Sequence, residues 1–264
     1  MVTASRSGIK DASMGESPLM VNSVLKAFRV LTAFSSAEPR LTLTRLGEKL
    51  GIDKSTAQRF THTLLTMGYL DKDAATKTFG VTVRVLDLAH IYLDTNPLIA
   101  ATLPYLVHLN AETGETVNLA VLDGTDVVFV SRIVGRHLLS TGVIIGTRLP
   151  AYITATGLAM LSFMPPDQAD QILASSELKA HTPHTVFDPK MITERLRISR
   201  EKGYALSVGD CFPDDISIGA PIVSSSGQLL GALAVAVTSQ RFTPEEVETQ
   251  FSKLVCAAAR SVRV

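Results

Sequence analysis

Cysteine is scarce: Cys211 and Cys256 are the only two among 264 residues. With no short-spaced Cys or His partner they suggest neither a disulfide framework nor a zinc site, and both read as free thiols. No apolar run approaches the roughly 20 residues that span a bilayer. The N-terminus lacks the compact apolar core of a secretory signal, so a cytoplasmic protein with no membrane partner is expected. Net charge is absent too, 25 Lys and Arg balancing 25 Asp and Glu. A nucleophile-elbow serine, a phosphate-cradling glycine loop and a dinucleotide fingerprint are all missing. His181 and His184 stand three apart, but Pro183 argues against a helix there and no nearby acid or cysteine completes a metal set. Asp210, Asp214 and Asp215, beside Cys211, Phe212 and Pro213, read as a solvated turn rather than a carboxylate cluster. No enzyme, no metal and no cofactor are expected.

What is present begins with residues 41–70, LTLTRLGEKLGIDKSTAQRFTHTLLTMGYL. Thr42 can cap a helix through Leu43, Leu46 and Leu50, and Gly51 falls just past its end, where a positive φ is needed. Asp53 offers an acceptor to the unsatisfied N–H groups of a second helix, and residues 54–67 contain neither Gly nor Pro to stop it. Ala57, Phe60, Leu64 and Met67 recur at three- and four-residue steps, an inward stripe, with Ser55, Gln58, Arg59 and His62 on the opposite side. Two short helices around a three-residue turn make a helix-turn-helix. Arg59 can fork onto guanine and Gln58 can pair with adenine, while Lys54, Ser55 and Thr56 can hold phosphates; Arg45 and His62 complete the candidate DNA-binding set. The competing reading is a solvated helix on an ordinary α-hairpin.

The segment that follows, DKDAATKTFGVTV, has the form of a hairpin with a basic tip. A wing of this kind reaches the DNA backbone, which makes Lys72, Lys77 and Thr78 candidate phosphate contacts. Upstream, VNSVLKAFRVLTAF predicts a third amphipathic helix capped by Asn22 or Ser23, with Val24, Ala27, Leu31 and Phe34 inward. Charge follows the same division: residues 21–93 hold ten Lys and Arg against six Asp and Glu, residues 94–264 thirteen against seventeen. A mildly basic front and an acidic back suit a DNA-binding head on a domain with another task.

Four segments are therefore expected. Residues 1–20, rich in Ser and small polar groups, read as a flexible arm; 21–81 as a winged helix-turn-helix; 82–95, with Val83, Leu86, Leu88 and Ile91, as a linker helix; and 96–264 as a second domain. In the last, VNLAVLDG and DVVFVSRI flank an Asp123-Gly124-Thr125 turn, and HLLSTGVII is read as another strand. A small-residue helix (ITATGLAMLSFM) and helices near Pro166 and Pro189 follow. Strands GYALSV, DISIGAPIVS and LLGALAVAV then precede a last helix opened by Thr243, Pro244 and Glu245. Paired strands with surrounding helices predict an α+β domain on a mostly antiparallel sheet.

Taken in succession, STAQRFTHTLLTMGYL, ETGETVNLAVLDGTDVVFVSRI, IIGTRLPAYITATGLAML, GYALSVGD and IGAPIVSSSGQLLGALAVAV resemble the isocitrate lyase regulator (IclR) family of bacterial transcription factors. The resemblance runs from about residue 21 to the end of the chain. It implies a GAF-like C-terminal domain that binds a small effector, a linker helix used in dimerisation, and a homodimer or homotetramer on palindromic operator DNA upstream of catabolic operons. By the same resemblance the effector pocket lies between the sheet and the helix holding Ala155, Thr156 and Gly157, with Ser207, Ser217, Ala234 and Ala236 on its other walls. Ser207 stands where glyoxylate- and pyruvate-type members are acidic, and Ala234 and Ala236 replace two serines of those members. GTRLPAYITATG is closest to the branch that governs breakdown of protocatechuate and 4-hydroxybenzoate. An aromatic acid is the expected effector, its carboxylate meeting the helix start or an arginine, Arg132, Arg136 or Arg148. A small 2-oxo acid such as glyoxylate or pyruvate is the alternative; an enzyme fused to a DNA-binding head is a more distant one.

Overall fold

The computed structural model describes residues 18–136 and 142–264, so most of the arm assigned to 1–20, and residues 137–141 of the expected strand HLLSTGVII, lie outside the described residues. The chain divides into two compact units between Thr95 and Asn96.

In the first unit, α1 (Asn22–Thr32) is followed by β1 (Arg40–Leu41), α2 (Leu43–Leu50), α3 (Lys54–Thr66), β2 (Leu70–Lys72), β3 (Phe79–Val81) and α4 (Val85–Thr95). The helix boundaries are set by local chemistry. Thr42 accepts from the Arg45 N–H, Gly51 adopts φ 63°, and Asp53 accepts from the Thr56 N–H. The three short strands pair antiparallel in the order β1-β3-β2, forming a wing after α3. Val30, Phe34, Leu41, Leu46, Leu64, Leu70 and Phe79 make the core.

Three sequence expectations need correction here. Neither Asn22 nor Ser23 caps α1; Val21 occupies that place without a side-chain bond. The inward face of α1 centres on Val30, while Val24 is exposed, because the core reaches only the C-terminal half of the helix. On α3 the buried stripe is Ala57, Thr61 and Leu64, with Met67 exposed just past the end. Thr61 is tolerated inside because its hydroxyl donates to the Ala57 carbonyl at 2.9 Å, which satisfies the group within the helix itself.

The second unit contains α5 (Pro97–Thr113), the hairpin β4 (Thr116–Asp123) and β5 (Asp126–Ile133), and β6 (Arg148–Pro150). After a 3₁₀ turn (Ala151–Ile153) come α6 (Ala155–Phe163), α7 (Pro166–Ser175), α8 (Pro189–Lys202), β7 (Ala205–Val208), β8 (Asp215–Val223), β9 (Leu229–Thr238) and α9 (Pro244–Ser261). Six strands form one antiparallel sheet in the order β6-β5-β4-β9-β8-β7. Joining β4 to β9 at the sheet centre makes the pairing non-local and brings residues about 116 positions apart into register, as Asn118 with Ala234. Helix α6 is buried from Ala155 to Ser162, which explains its lack of polar residues facing outward. In the described part of the expected strand HLLSTGVII, residues 142–145, the backbone is irregular rather than strand. Thr243 and Glu246 form a reciprocal capping box on α9.

Candidate functional site

Two regions hold the candidate residues. On the first unit, α3 presents Lys54, Ser55, Gln58, Arg59 and His62 to solvent, while Thr56 is half-buried. At its start the Asp53 carboxylate accepts from the Ser55 hydroxyl at 2.7 Å and from the Thr56 hydroxyl at 2.6 Å, and these bonds hold its pKa well below the usual carboxylate range. Both hydroxyls assigned to phosphates are therefore engaged with a carboxylate. Arg59 and Thr56 also line a groove with Ser23 and Lys26 of α1, a lysine that the sequence pattern did not single out. Arg45 is exposed but paired with Glu38 at 2.9 Å and Glu48 at 3.3 Å.

On the wing, Lys72 and Lys77 are exposed, Lys72 lying over the Phe79 ring. Lys77 adopts φ 57° at the tip, and Asp73 accepts from the Ala75 and Thr76 N–H groups to hold the turn. Thr78 is half-buried and its hydroxyl accepts from Arg40 Nε at 3.1 Å. Arg40 itself pairs with Asp71 at 2.6 Å, so this part of the wing is tied together internally.

The second region is a pocket in the C-terminal unit. Its floor is two cross-strand rows: Arg132, Asn118 and Ala234 stand in register on β5, β4 and β9, and Ala236, Ser217 and Ser207 on β9, β8 and β7. Opposite lies the start of α6, where Thr154 caps the helix by accepting from the Gly157 N–H at 3.1 Å. Glycines allow the close approach. A Cβ on Gly219 of β8 would come within 3.0 Å of the Ala155 carbonyl, and one on Gly157 within 2.2 Å of the Ala151 carbonyl oxygen. Phe129, Val143, Leu149, Ile153 and Phe212 supply apolar walls around a small cavity that is partly open to solvent. The Thr156 hydroxyl lines this space, is buried, and has no hydrogen-bond partner among the described residues. An orphaned donor-acceptor of this kind at a helix start is suited to a polar group of a ligand.

Two charged side chains face the same space. Arg132 Nη1 donates to Asn118 Oδ1 at 2.8 Å, and burial lowers the pKa of its guanidinium. Asp215 accepts from the Ser217 hydroxyl at 2.7 Å. Burial pushes the Asp215 carboxyl up to about 6, with the Ser217 bond and Arg132 opposing that rise and Asp210 adding to it.

The solvated-turn reading of the three aspartates is thereby overturned for two of them. Asp215 lines the pocket. Asp210 is 2% exposed and receives both arms of the Arg195 guanidinium at 2.9 and 2.8 Å, together with the Val186 and Val208 N–H groups and the Ser207 hydroxyl. Only Asp214 is exposed. Cys211, between them, is a free, buried thiol on the pocket wall whose pKa is raised by burial, which keeps it unreactive.

Of the effector residues expected from sequence, the pocket gathers Arg132, Ala155, Thr156, Ser207, Ser217, Ala234 and Ala236. Two do not line it. Arg148 pairs with Asp123 at 2.7 Å and Asp126 at 3.3 Å, bracing the β4–β5 turn. Gly157 faces Ala151, where only a hydrogen fits, and its N–H is taken by the cap. Arg136 is exposed and also lies outside the lining. Sequence reasoning missed Asn118, Phe129 and Asp215. The last had a signal, since strand alternation puts Asp215 on the same face as Ser217.

Comparison with known proteins gives a consistent picture. The family model described as bacterial transcriptional regulator IclR C-terminal matches residues 90–264, and that for the IclR helix-turn-helix domain matches residues 23–74. The chain is 30% identical over 246 residues to the Pca regulon regulatory protein of Pseudomonas putida, covering 93% of this chain and 84% of that protein. It is also 30% identical over 243 residues to the p-hydroxybenzoate hydroxylase transcriptional activator of Acinetobacter baylyi, covering 90% and 89%. Among solved structures, an IclR transcriptional regulator from Alicyclobacillus acidocaldarius superposes with a TM-score of 0.78 at 26% identity, covering 92% of this chain and 98% of that one.

Proposed function

This chain belongs to the IclR family of bacterial transcriptional regulators, and on that premise we propose that it is a ligand-responsive regulator of a catabolic operon, binding palindromic operator DNA and taking a small aromatic carboxylic acid as effector. The observation that carries the effector half is the buried, partnerless Thr156 hydroxyl beside the start of α6, in a pocket where Phe129, Val143, Leu149, Ile153 and Phe212 supply apolar surface for a ring. A carboxylate seats on the helix start and a ring fills the space between Phe129, Leu149, Ile153 and Phe212. The names of the two relatives, which concern the Pca regulon and p-hydroxybenzoate hydroxylase, support the aromatic class over a 2-oxo acid.

For the DNA half, Arg59 and Gln58 of α3 are the base-reading candidates, with Lys54 and His62 beside them and Lys72 and Lys77 of the wing on the backbone. Ser55 and Thr56 reach phosphate only if their bonds to Asp53 are exchanged, so their share is smaller than the sequence suggested. Helix α4 leaves Leu86, Leu88 and Ile91 exposed, which supports a homodimer or homotetramer. Two recognition helices then meet half-sites about one DNA turn, or a multiple, apart. An effector that favours one arrangement of the assembly changes operator affinity by linkage. As its relatives are regulators, the pocket is a sensor and not a catalytic site.

Calorimetric titration of the full chain with 4-hydroxybenzoate, protocatechuate, glyoxylate and pyruvate tests the effector. Binding of the two aromatic acids, weakened by Thr156→Val, is expected. Binding of glyoxylate or pyruvate alone would overturn the aromatic assignment.

A further inference from the structure

Arg132 and Asp215 both line the pocket and interact electrostatically, yet no ion pair joins them. One arm of Arg132 is held by Asn118, and one oxygen of Asp215 by Ser217. The second oxygen of Asp215 has no hydrogen-bond partner among the described residues. A donor and an acceptor of opposite charge are thus each fixed from behind, and each keeps capacity in front. A carboxylate placed between them satisfies Arg132 but is repelled by Asp215. An ammonium is repelled by Arg132. A hydroxyl satisfies both, accepting from the guanidinium while donating to the carboxylate.

We propose that Asp215, with Arg132, forms a hydroxyl-recognition site that selects ring-hydroxylated over unsubstituted aromatic acids and turns the ligand so that its carboxylate points to the start of α6. The proposal rests on the aromatic-acid reading above and adds to it the orientation of the ligand and the group that is discriminated. Asp215 is a specificity residue here because a bound ring shields its free oxygen from water, and an acceptor left unpaired in that way penalises a ligand that lacks the donor. Asn118 and Ser217 are positioning residues that act through Arg132 and Asp215. The strand pattern places them by register: Asn118 opposes Arg132, and Ser217 lies two residues from Asp215 on one face.

The test is calorimetric titration of the full-length protein with 4-hydroxybenzoate, 3,4-dihydroxybenzoate and benzoate, on the unmodified chain and on Asp215→Leu and Asp215→Asn. The unmodified chain is expected to bind 4-hydroxybenzoate about tenfold or more tightly than benzoate. Asp215→Leu is expected to bring the two within about twofold, chiefly by weakening 4-hydroxybenzoate, while retained benzoate binding reports a folded pocket. Asp215→Asn, which keeps a neutral acceptor, is expected to fall between. If Asp215→Leu does not bind even benzoate, the Asp215→Asn ratio decides: an unchanged preference contradicts the proposal. Equal affinities for 4-hydroxybenzoate and benzoate in the unmodified chain would overturn the hydroxyl assignment and leave the aromatic-acid reading intact. No binding of any of the three acids would overturn that reading and this proposal together.

Discussion

The two candidate regions are built on opposite principles. On α3 and the wing, most residues proposed to meet DNA are exposed, and Arg45 of the neighbouring α2 is held only by surface contacts with Glu38 and Glu48. In the C-terminal pocket the polar groups are buried or half-buried, and apart from the partnerless Thr156 hydroxyl several are fixed by a second residue: Arg132 by Asn118, Asp215 by Ser217, and Ser207 by Asp210 and the Ile153 carbonyl. The contrast follows from the partners. A polyanion is bound by many screened charges, each worth little, and mobile lysines serve that purpose. A small acid is recognised by few groups, so each must be desolvated and aimed in advance.

Changes in the pocket should therefore be costly and local, and changes on the DNA face modest and salt-dependent. The largest effect is expected for Arg195→Ala, which strands the buried Asp210 carboxylate and its six-residue neighbourhood from Ser207 to Phe212. A loss of about 3–5 kcal/mol in thermal or urea denaturation is expected, and a change under about 1 kcal/mol would mean that Asp210 is satisfied without it.

Next is Asp215→Asn. Since burial raises the folded-state pKa to about 6, ionising Asp215 opposes folding: the penalty is absent below the ordinary carboxylate range, grows as pH rises, and is complete above about 6. The always-neutral asparagine is expected to gain on the parent between pH 4 and 7 by about 1–3 kcal/mol, partial exposure of the residue reducing the figure. A pH-independent difference in melting temperature would show that Asp215 is solvated.

On the DNA face, Arg59→Ala is expected to relax preference at one base position by about 1–3 kcal/mol, measured by competition among operator variants. Equal weakening on every sequence would make Arg59 a phosphate contact. Smallest is Lys77→Asn, chosen because asparagine tolerates the positive φ of that position. It should weaken all sequences alike and lower the slope of log affinity against log salt by about one. An unchanged slope would remove the wing tip from the interface.

The same contrast governs what sequence could reveal. The helix-turn-helix was legible because its signals are local: Thr42, Gly51 and Asp53 each act within three or four residues of their own position, and the wing follows at once. Where local periodicity competed with tertiary packing, as for Val24 and Met67, the core decided otherwise. Half of the pocket came from resemblance to relatives. The rest depends on which strands pair, and no nearby residue announces that Asn118 meets both Arg132 and Ala234 across a sheet. Asp210 and Asp215 look alike in a polar turn, yet one is consumed by Arg195 and the other faces open space. Only the three-dimensional register separates them.

In the proposed function one chain joins these two regions into a switch. Its most direct test is fluorescence anisotropy of the full-length protein on DNA from upstream of its own gene, with and without saturating 4-hydroxybenzoate, for the unmodified chain and Thr156→Val. A change in operator affinity of about fivefold or more, in either direction and lost in Thr156→Val at the same acid concentration, is the expected result. Affinity that stays the same at a 4-hydroxybenzoate concentration shown by calorimetry to fill the pocket would contradict it.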